Sequence, residues 1–159
     1  MYPYNTNKTQ KLNNVKLSNA KLVMSEEEPT IQDMIIDAIK DEEHDFKYYS
    51  ALSDAITDPT DAETVKSMSL DEYKHKRLLE EIYYALTGAM PQPVEVEIEP
   101  ISNNLKEEFS NSLFKELEGV ELYRELMTSF ESLGVRDLFF EILTDEQSHA
   151  DMLNYLIQK

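Results

Sequence analysis

The strongest constraint on the fold of this chain is an internal repeat with an offset of 74 residues. Adding this offset to seven residue numbers of the first copy gives the same residue type each time. The first copy contains Glu42, Tyr49, Leu52, Asp71, Glu72, His75 and Leu79, and the second contains Glu116, Tyr123, Leu126, Asp145, Glu146, His149 and Leu153. The repeat predicts two similar units that pack against each other.

Each unit is predicted to be a pair of long helices. Every proline after residue 28 lies at a boundary: Pro29, Pro59, and the group Pro91, Pro93 and Pro100 in one connection. The predicted helices span residues 30–57, 60–88 and 104–132, and the fourth runs from Gly134 to the C-terminus. The second and third are expected to open with capping boxes, Thr60 with Glu63 and Asn104 with Glu107. Apolar residues recur in all four at spacings of three and four, which is typical of a helix with one buried stripe.

The lengths of the connections predict how the helices pack. The turns near Asp58 and Gly134 are short, so each helix pair should form an antiparallel hairpin. Residues 88–103 could span about 50 Å when extended at ~3.3 Å per residue, enough to follow a helix from end to end. Val94, Val96 and Ile98 alternate there with glutamates, which favours an extended crossover with one buried side. The predicted fold is therefore an all-α four-helix bundle with a long crossover between helices 2 and 3, which run parallel.

The N-terminal segment differs in composition from the rest of the chain. Residues 1–24 contain four lysines and no acidic residue. They are also rich in Asn and Thr, with only scattered apolar residues. We therefore expect residues 1–28 to be a disordered basic tail and residues 29–159 to be the folded bundle.

Composition excludes several classes of function. The formal net charge of −17 makes a nucleic-acid-binding surface an improbable feature and favours cationic partners, including metal ions. The absence of Cys excludes disulfides, thiolate metal sites and thiol nucleophiles. No apolar run is long enough for a membrane span or a secretory signal, so a cytoplasmic protein without membrane association is expected.

Each apolar stripe is interrupted near its middle by polar residues. These are Glu42 in the first helix, Glu72 and His75 in the second, Glu116 in the third, and Glu146 and His149 in the fourth. The repeat places all six at one level of the bundle. Four carboxylates and two imidazoles buried together need compensation, and two divalent cations would balance the four negative charges.

This pattern resembles that of the ferritin-like di-iron carboxylate superfamily. One Glu from each of two helices and a Glu-x-x-His pair from each of the other two form the ligand set of those proteins. The tyrosines seven residues after Glu42 and Glu116 resemble the rubrerythrin branch. The resemblance covers residues 30–159. It implies a ferritin-like bundle in which the six residues above are the metal ligands and catalytic residues, holding two Fe ions, with Mn as an alternative.

Two departures from the family pattern affect the expected function. Rubrerythrins carry a Cys-ligated rubredoxin iron, whereas this chain has no Cys and would need an external electron donor. Rubrerythrins also carry an extra Glu three residues after the helix 3 ligand, and here that position is Gly119.

The resemblance leaves two functional hypotheses. The first is a di-iron oxidoreductase that oxidises Fe(II), with O2 or H2O2 as the oxidant. The alternative is a non-catalytic metal-binding bundle that buffers iron or serves in assembly. A homodimer is expected in either case.

Further residues are expected to support the site. Tyr49 and Tyr123 follow from the resemblance. A resemblance to bacterioferritin-type sites further implies a crossed contact pattern in which Asp71 faces His149 and Asp145 faces His75; the alternative is two exposed surface acids. Asp45 and Gly119 occupy equivalent positions in the two copies. Gly119 is expected to leave a pocket for oxidant or iron, and Asp45 to guide or bind iron on the opposite side; the alternatives are close helix packing and a rim-exposed acid. His44 is expected to be a solvated surface residue.

Overall fold

The computed structural model describes residues 29–159 and confirms an all-α four-helix bundle. The helices are α1 (Ile31–Ala55), α2 (Pro59–Thr87), α3 (Leu105–Thr128) and α4 (Leu133–Gln158). Residues 29–159 contain no β-strand, and none of their helices is both long and apolar enough to cross a bilayer. The predicted tail, residues 1–28, lies outside the described residues.

The starts of the helices differ in detail from the predicted capping boxes. Thr30 caps α1 in a capping box with Asp33. The predicted Thr60–Glu63 box is wrong: Asp58 caps α2 and accepts hydrogen bonds from the backbone N–H groups of Thr60 and Asp61, with Pro59 in the first turn.

The second hairpin also departs from the predicted boundaries. The side chain of Asn104 makes no cap hydrogen bond to the backbone; instead its Nδ2 donates to Glu107 Oε2 at 3.1 Å. Helix α3 ends at Thr128, four residues earlier than predicted. Helix α4 begins at Leu133, so Gly134 lies within its first turn.

The bundle contains two apolar clusters, one towards each end. The first joins the start of α1 to the end of α2, the end of α3 and the start of α4, and includes Ile35, Leu79, Leu126 and Phe139. The second joins the opposite helix ends. Helices α2 and α3 therefore run parallel, as predicted, and the middle turns of all four helices lie between the clusters.

The crossover connects the two ends of the bundle along its side. Val94, Val96 and Ile98 are half-buried, while the glutamates between them are exposed. Val94 packs against the first cluster and Ile101 against the second, so the segment runs the length of the bundle. Lys47 Nζ donates a hydrogen bond to the carbonyl oxygen of Val96 at 2.9 Å, which ties the crossover to α1.

Adjacent phenylalanines on α4 allow a direct test of this core. Phe139 is fully buried in the first cluster, whereas Phe140 is 57% exposed. We expect Phe139→Ala to lower the free energy of unfolding by about 3–5 kcal/mol because it leaves a cavity. Phe140→Ala should change it by less than about 0.5 kcal/mol. Urea unfolding followed by circular dichroism measures both, and equal effects would contradict this packing.

Candidate metal centre

The six polar residues of the interrupted stripes meet between the two apolar clusters. All are buried, with exposures between 0% and 5%. They point inward because they lie on the buried faces of their helices. On α1, for example, the face that buries Ile39 and Tyr49 also carries Glu42. The structure therefore brings together every residue that the sequence predicts for the metal centre: Glu42, Glu72, His75, Glu116, Glu146 and His149.

These residues form two overlapping groups, each able to hold one metal ion. One group contains Glu42 and His75, and the other contains Glu116 and His149. Glu72 and Glu146 belong to both. Within each group the candidate ligand atoms lie within 4.8 Å of one another. The geometry thus offers two adjacent positions, each with one carboxylate and one imidazole of its own and two shared carboxylates.

Both imidazoles turn Nδ1 towards the carboxylates. His75 Nδ1 lies 3.0 Å from Glu72 Oε2 and 3.1 Å from Glu146 Oε1. His149 Nδ1 lies 3.0 Å from Glu72 Oε1 and 3.3 Å from Glu116 Oε2. The two ring centroids are 6.0 Å apart. One nitrogen of each ring is therefore directed at the centre of the site.

The opposite nitrogens contact aspartates of the other hairpin. His75 Nε2 lies 3.1 Å from Asp145 Oδ2, and His149 Nε2 lies 3.5 Å from Asp71 Oδ2. This is the crossed arrangement expected from the sequence. Contacts of this kind orient an imidazole and select its tautomer.

Two buried tyrosines make a second crossed pair of contacts. Tyr49 on α1 donates a hydrogen bond to Glu116 on α3, and Tyr123 on α3 donates one to Glu42 on α1. Burial, together with the negative charges of these glutamates, raises the pKa of both phenols well above the usual value. The tyrosines therefore remain donors at neutral pH and hold the two unshared carboxylates in place.

Burial and mutual repulsion strongly perturb the protonation of the site. Burial, followed by the charge of Glu72, raises the pKa of Glu42 to about 8, and the same causes raise the pKa of Glu146 well above its usual value. Although burial opposes it, the close contacts with His149 and His75 lower the pKa of Glu72 to about 2.

The pKa values of the two imidazoles shift in the direction opposite to the one that burial alone would produce. Burial favours the neutral ring, but contacts with Glu116 and Glu72 outweigh it and raise the pKa of His149 to about 11. Contacts with Asp145 and Glu146 likewise raise the pKa of His75. Protons thus stabilise the cluster of carboxylates when no metal ion is bound.

Even with these protons, two carboxylate oxygens of the site lack a hydrogen-bond partner. Oε1 of Glu72 and Oε1 of Glu146 are buried without a hydrogen-bond partner. A histidine nitrogen lies near each of them, but not in hydrogen-bonding geometry. Both oxygens belong to the shared carboxylates. A buried, unsatisfied carboxylate oxygen is costly, and a divalent cation would satisfy it, so the donor set fits two metal ions of the kind that prefer oxygen and imidazole ligands.

Asp45 and Gly119 line the same side of the site, which corrects the expected placement of Asp45. Both face a cleft of about 310 Å³ between α1 and α3, together with Glu42, Glu116 and Glu146. His44 also lines this cleft, with 27% of its side chain exposed and Nδ1 2.7 Å from Asp45 Oδ1, and it belongs to neither group of candidate ligands.

Gly119 lies directly against a shared carboxylate. A Cβ atom at this position would lie 3.2 Å from Glu146 Oε2. The nearest neighbours of such a Cβ are all atoms of the Glu146 side chain, and not the backbone of another helix. The missing side chain therefore makes room for Glu146 beside the cleft.

Four residues that line this cleft were not predicted from the sequence: Asp41, Lys115, Glu118 and Leu122. Asp41 and Lys115 are 74 residues apart, as are the lining pairs Glu42 and Glu116, His44 and Glu118, and Asp45 and Gly119. The repeat could therefore have revealed them: the cleft lies where equivalent turns of α1 and α3 face each other.

Comparisons with known proteins agree with this architecture. The rubrerythrin family model matches residues 33–109, which include Glu42, Glu72 and His75. A hypothetical protein from Pyrococcus furiosus has a similar structure, with a TM-score of 0.73 and 18% identity over 81% of this chain and 89% of that chain. No curated protein matches the chain. The predicted resemblance to rubrerythrins is confirmed over residues 33–109, and the four-helix fold over most of the chain.

The pKa shifts predict how the stability of the metal-free protein depends on pH. A carboxyl or imidazole whose pKa is raised by folding contributes stability below its unfolded pKa and loses it as pH rises through the folded pKa. This applies to Glu42 from about 4.5 to about 8, and to His149 from about 6.5 to about 11. We expect the melting temperature of chelator-treated protein to fall between about pH 6 and pH 9.

Matched variants identify the group responsible. Glu42→Gln should make this pH dependence shallower, whereas Glu121→Gln, on the exposed face of α3, should leave it unchanged. Differential scanning fluorimetry across the pH range measures both variants. A melting temperature that rises from pH 6 to pH 9 would contradict the assigned protonation states.

Proposed function

We propose that this chain is a di-iron oxidoreductase that binds two Fe(II) ions and oxidises them with O2 or H2O2. The observation that carries this proposal is the pair of overlapping ligand groups that share Glu72 and Glu146. Oxygen-rich sites with one imidazole per metal suit Fe(II) or Mn(II). The rubrerythrin family match supports iron over the other candidates.

Each ligand would have a defined place in the loaded site. Glu42 and His75 would bind one ion, Glu116 and His149 the other, and Glu72 and Glu146 both. Two adjacent Fe(II) ions supply two electrons together, enough to reduce O2 to H2O2 or H2O2 to water. Asp145 and Asp71 would fix the orientation of the imidazoles, and the tyrosines that of the unshared carboxylates.

The protein environment would favour this chemistry in two ways. The apolar clusters limit the access of water to the site from the two ends of the bundle. The raised pKa values of Glu42 and Glu146 favour their protonated forms, and both groups would release protons as metal ions bind.

The chain would need an external electron donor to return the metal to the ferrous state, because it contains no Cys for an iron–sulfur or rubredoxin centre.

A homodimer also belongs to this proposal. Phe114 and Phe140 are 65% and 57% exposed on α3 and α4, and sedimentation velocity measures the oligomeric state directly.

Oxygen uptake after Fe(II) is added to the metal-free protein tests the proposed function. We expect the parent protein to bind two Fe(II) per chain anaerobically and then to consume O2 faster than the same Fe(II) in buffer. Glu146→Ala should abolish stoichiometric binding because both groups lose a ligand. Glu121→Ala, the exposed control on α3, should behave like the parent protein.

The possible results separate the two functional hypotheses. Binding of two Fe(II) without oxygen or peroxide consumption above the buffer blank would favour the non-catalytic metal-binding function. Unchanged stoichiometry in Glu146→Ala would refute the ligand assignment itself.

A further inference from the structure

The cleft between α1 and α3 opens directly beside the buried carboxylates. It is lined by Glu42, Glu116 and Glu146, all of them candidate ligands. Its volume of about 310 Å³ leaves room for several water molecules, each of which occupies about 30 Å³ in the liquid. A partly hydrated ion could therefore occupy it.

The charge of the lining favours a cation. Six of the lining residues are acidic: Asp41, Glu42, Asp45, Glu116, Glu118 and Glu146. The lining also contains one lysine, Lys115. Even with protons on Glu42 and Glu146, the acidic residues of the lining outnumber its lysine. A narrow cleft with walls of one predominant sign concentrates ions of the opposite sign and raises their association rate.

An unsatisfied buried oxygen provides a second, independent observation. Glu146 is 5% exposed, lines the cleft and holds Oε1 without a hydrogen-bond partner. Its equivalent in the repeat, Glu72, also has an unpartnered Oε1 but does not line the cleft. An ion in the cleft therefore meets Glu146 first among the two shared carboxylates.

The broken repeat explains this difference. In the first copy the position one turn after the ligand glutamate is Asp45, which carries a side chain, and in the second it is Gly119, which carries none. Any side chain at position 119 would press on Glu146 and project beside the cleft. The asymmetry therefore leaves Glu146 accessible from one side of an otherwise symmetric site.

We propose that the α1–α3 cleft is the port through which divalent cations reach the buried site, with Asp45 attracting the ion and Gly119 keeping the path to Glu146 open. This inference rests on the proposed dinuclear metal site but not on its redox activity. It assigns to Asp45, Lys115 and Gly119 an effect on the rate of metal binding and not on the number of ions bound.

The test is the rate of Co(II) binding to the metal-free protein, followed by stopped-flow visible absorption at low ionic strength. Asp45→Asn should slow association about threefold or more, and Lys115→Gln should accelerate it. Both differences should shrink at about 1 M salt, where charges are screened within ~3 Å. Glu121→Gln removes an acidic charge outside the cleft and should leave the rate unchanged.

Two substitutions at Gly119 separate blocking of the port from disturbance of Glu146. Gly119→Ala adds only the Cβ that contacts Glu146, whereas Gly119→Leu adds a longer side chain at a position that lines the cleft. Gly119→Leu should slow association several-fold more than Gly119→Ala, with two Co(II) still bound at equilibrium. If Gly119→Leu does not fold, the opposite effects of Asp45→Asn and Lys115→Gln decide the question.

The outcomes distinguish this proposal from the proposed function. Parent-like rates in both Asp45→Asn and Lys115→Gln would overturn the port. Failure of the parent protein to bind Co(II) would overturn the port and the metal site together. Charge-dependent Co(II) association in a protein that consumes no O2 would support the port and refute only the redox activity.

Discussion

The structure depends on compensating the charge of four carboxylates buried in one layer. Between two apolar clusters, Glu42, Glu72, Glu116 and Glu146 lie where four hydrophobic side chains would otherwise pack. Without metal, raised pKa values favour the protonated forms of Glu42, Glu146 and both histidines. Four protons carry the same charge as two divalent cations, so metal binding can replace them without adding net charge to the interior.

The surrounding residues are arranged around this layer in crossed pairs. Each histidine contacts an aspartate of the other hairpin, and each unshared glutamate accepts a hydrogen bond from a tyrosine of the other hairpin. The site therefore ties together two hairpins that otherwise contact each other mainly through apolar packing. The site is complete only when the two hairpins pack together, which links stability to protonation and to metal binding.

Much of this architecture could be predicted from the sequence, because periodicity and the repeat are local patterns that fix which faces are buried. The six polar residues of the layer and the direction of the crossover follow from them. Helix capping at α2 was mispredicted because Asp58 and Thr60 can both cap a helix, and Pro59 decides between them by favouring the first turn. Asp45 was assigned to the wrong side because a position one turn from a ligand does not reveal where α1 and α3 face each other.

The central claim is that this buried layer is completed by two metal ions that share Glu72 and Glu146. Anomalous diffraction at the iron absorption edge, from crystals of protein loaded anaerobically with Fe(II), tests it most directly. We expect two peaks per chain, one between Glu42 and His75 and the other between Glu116 and His149, with both shared glutamates coordinating each. A single peak, or peaks only at surface carboxylates, would contradict the account.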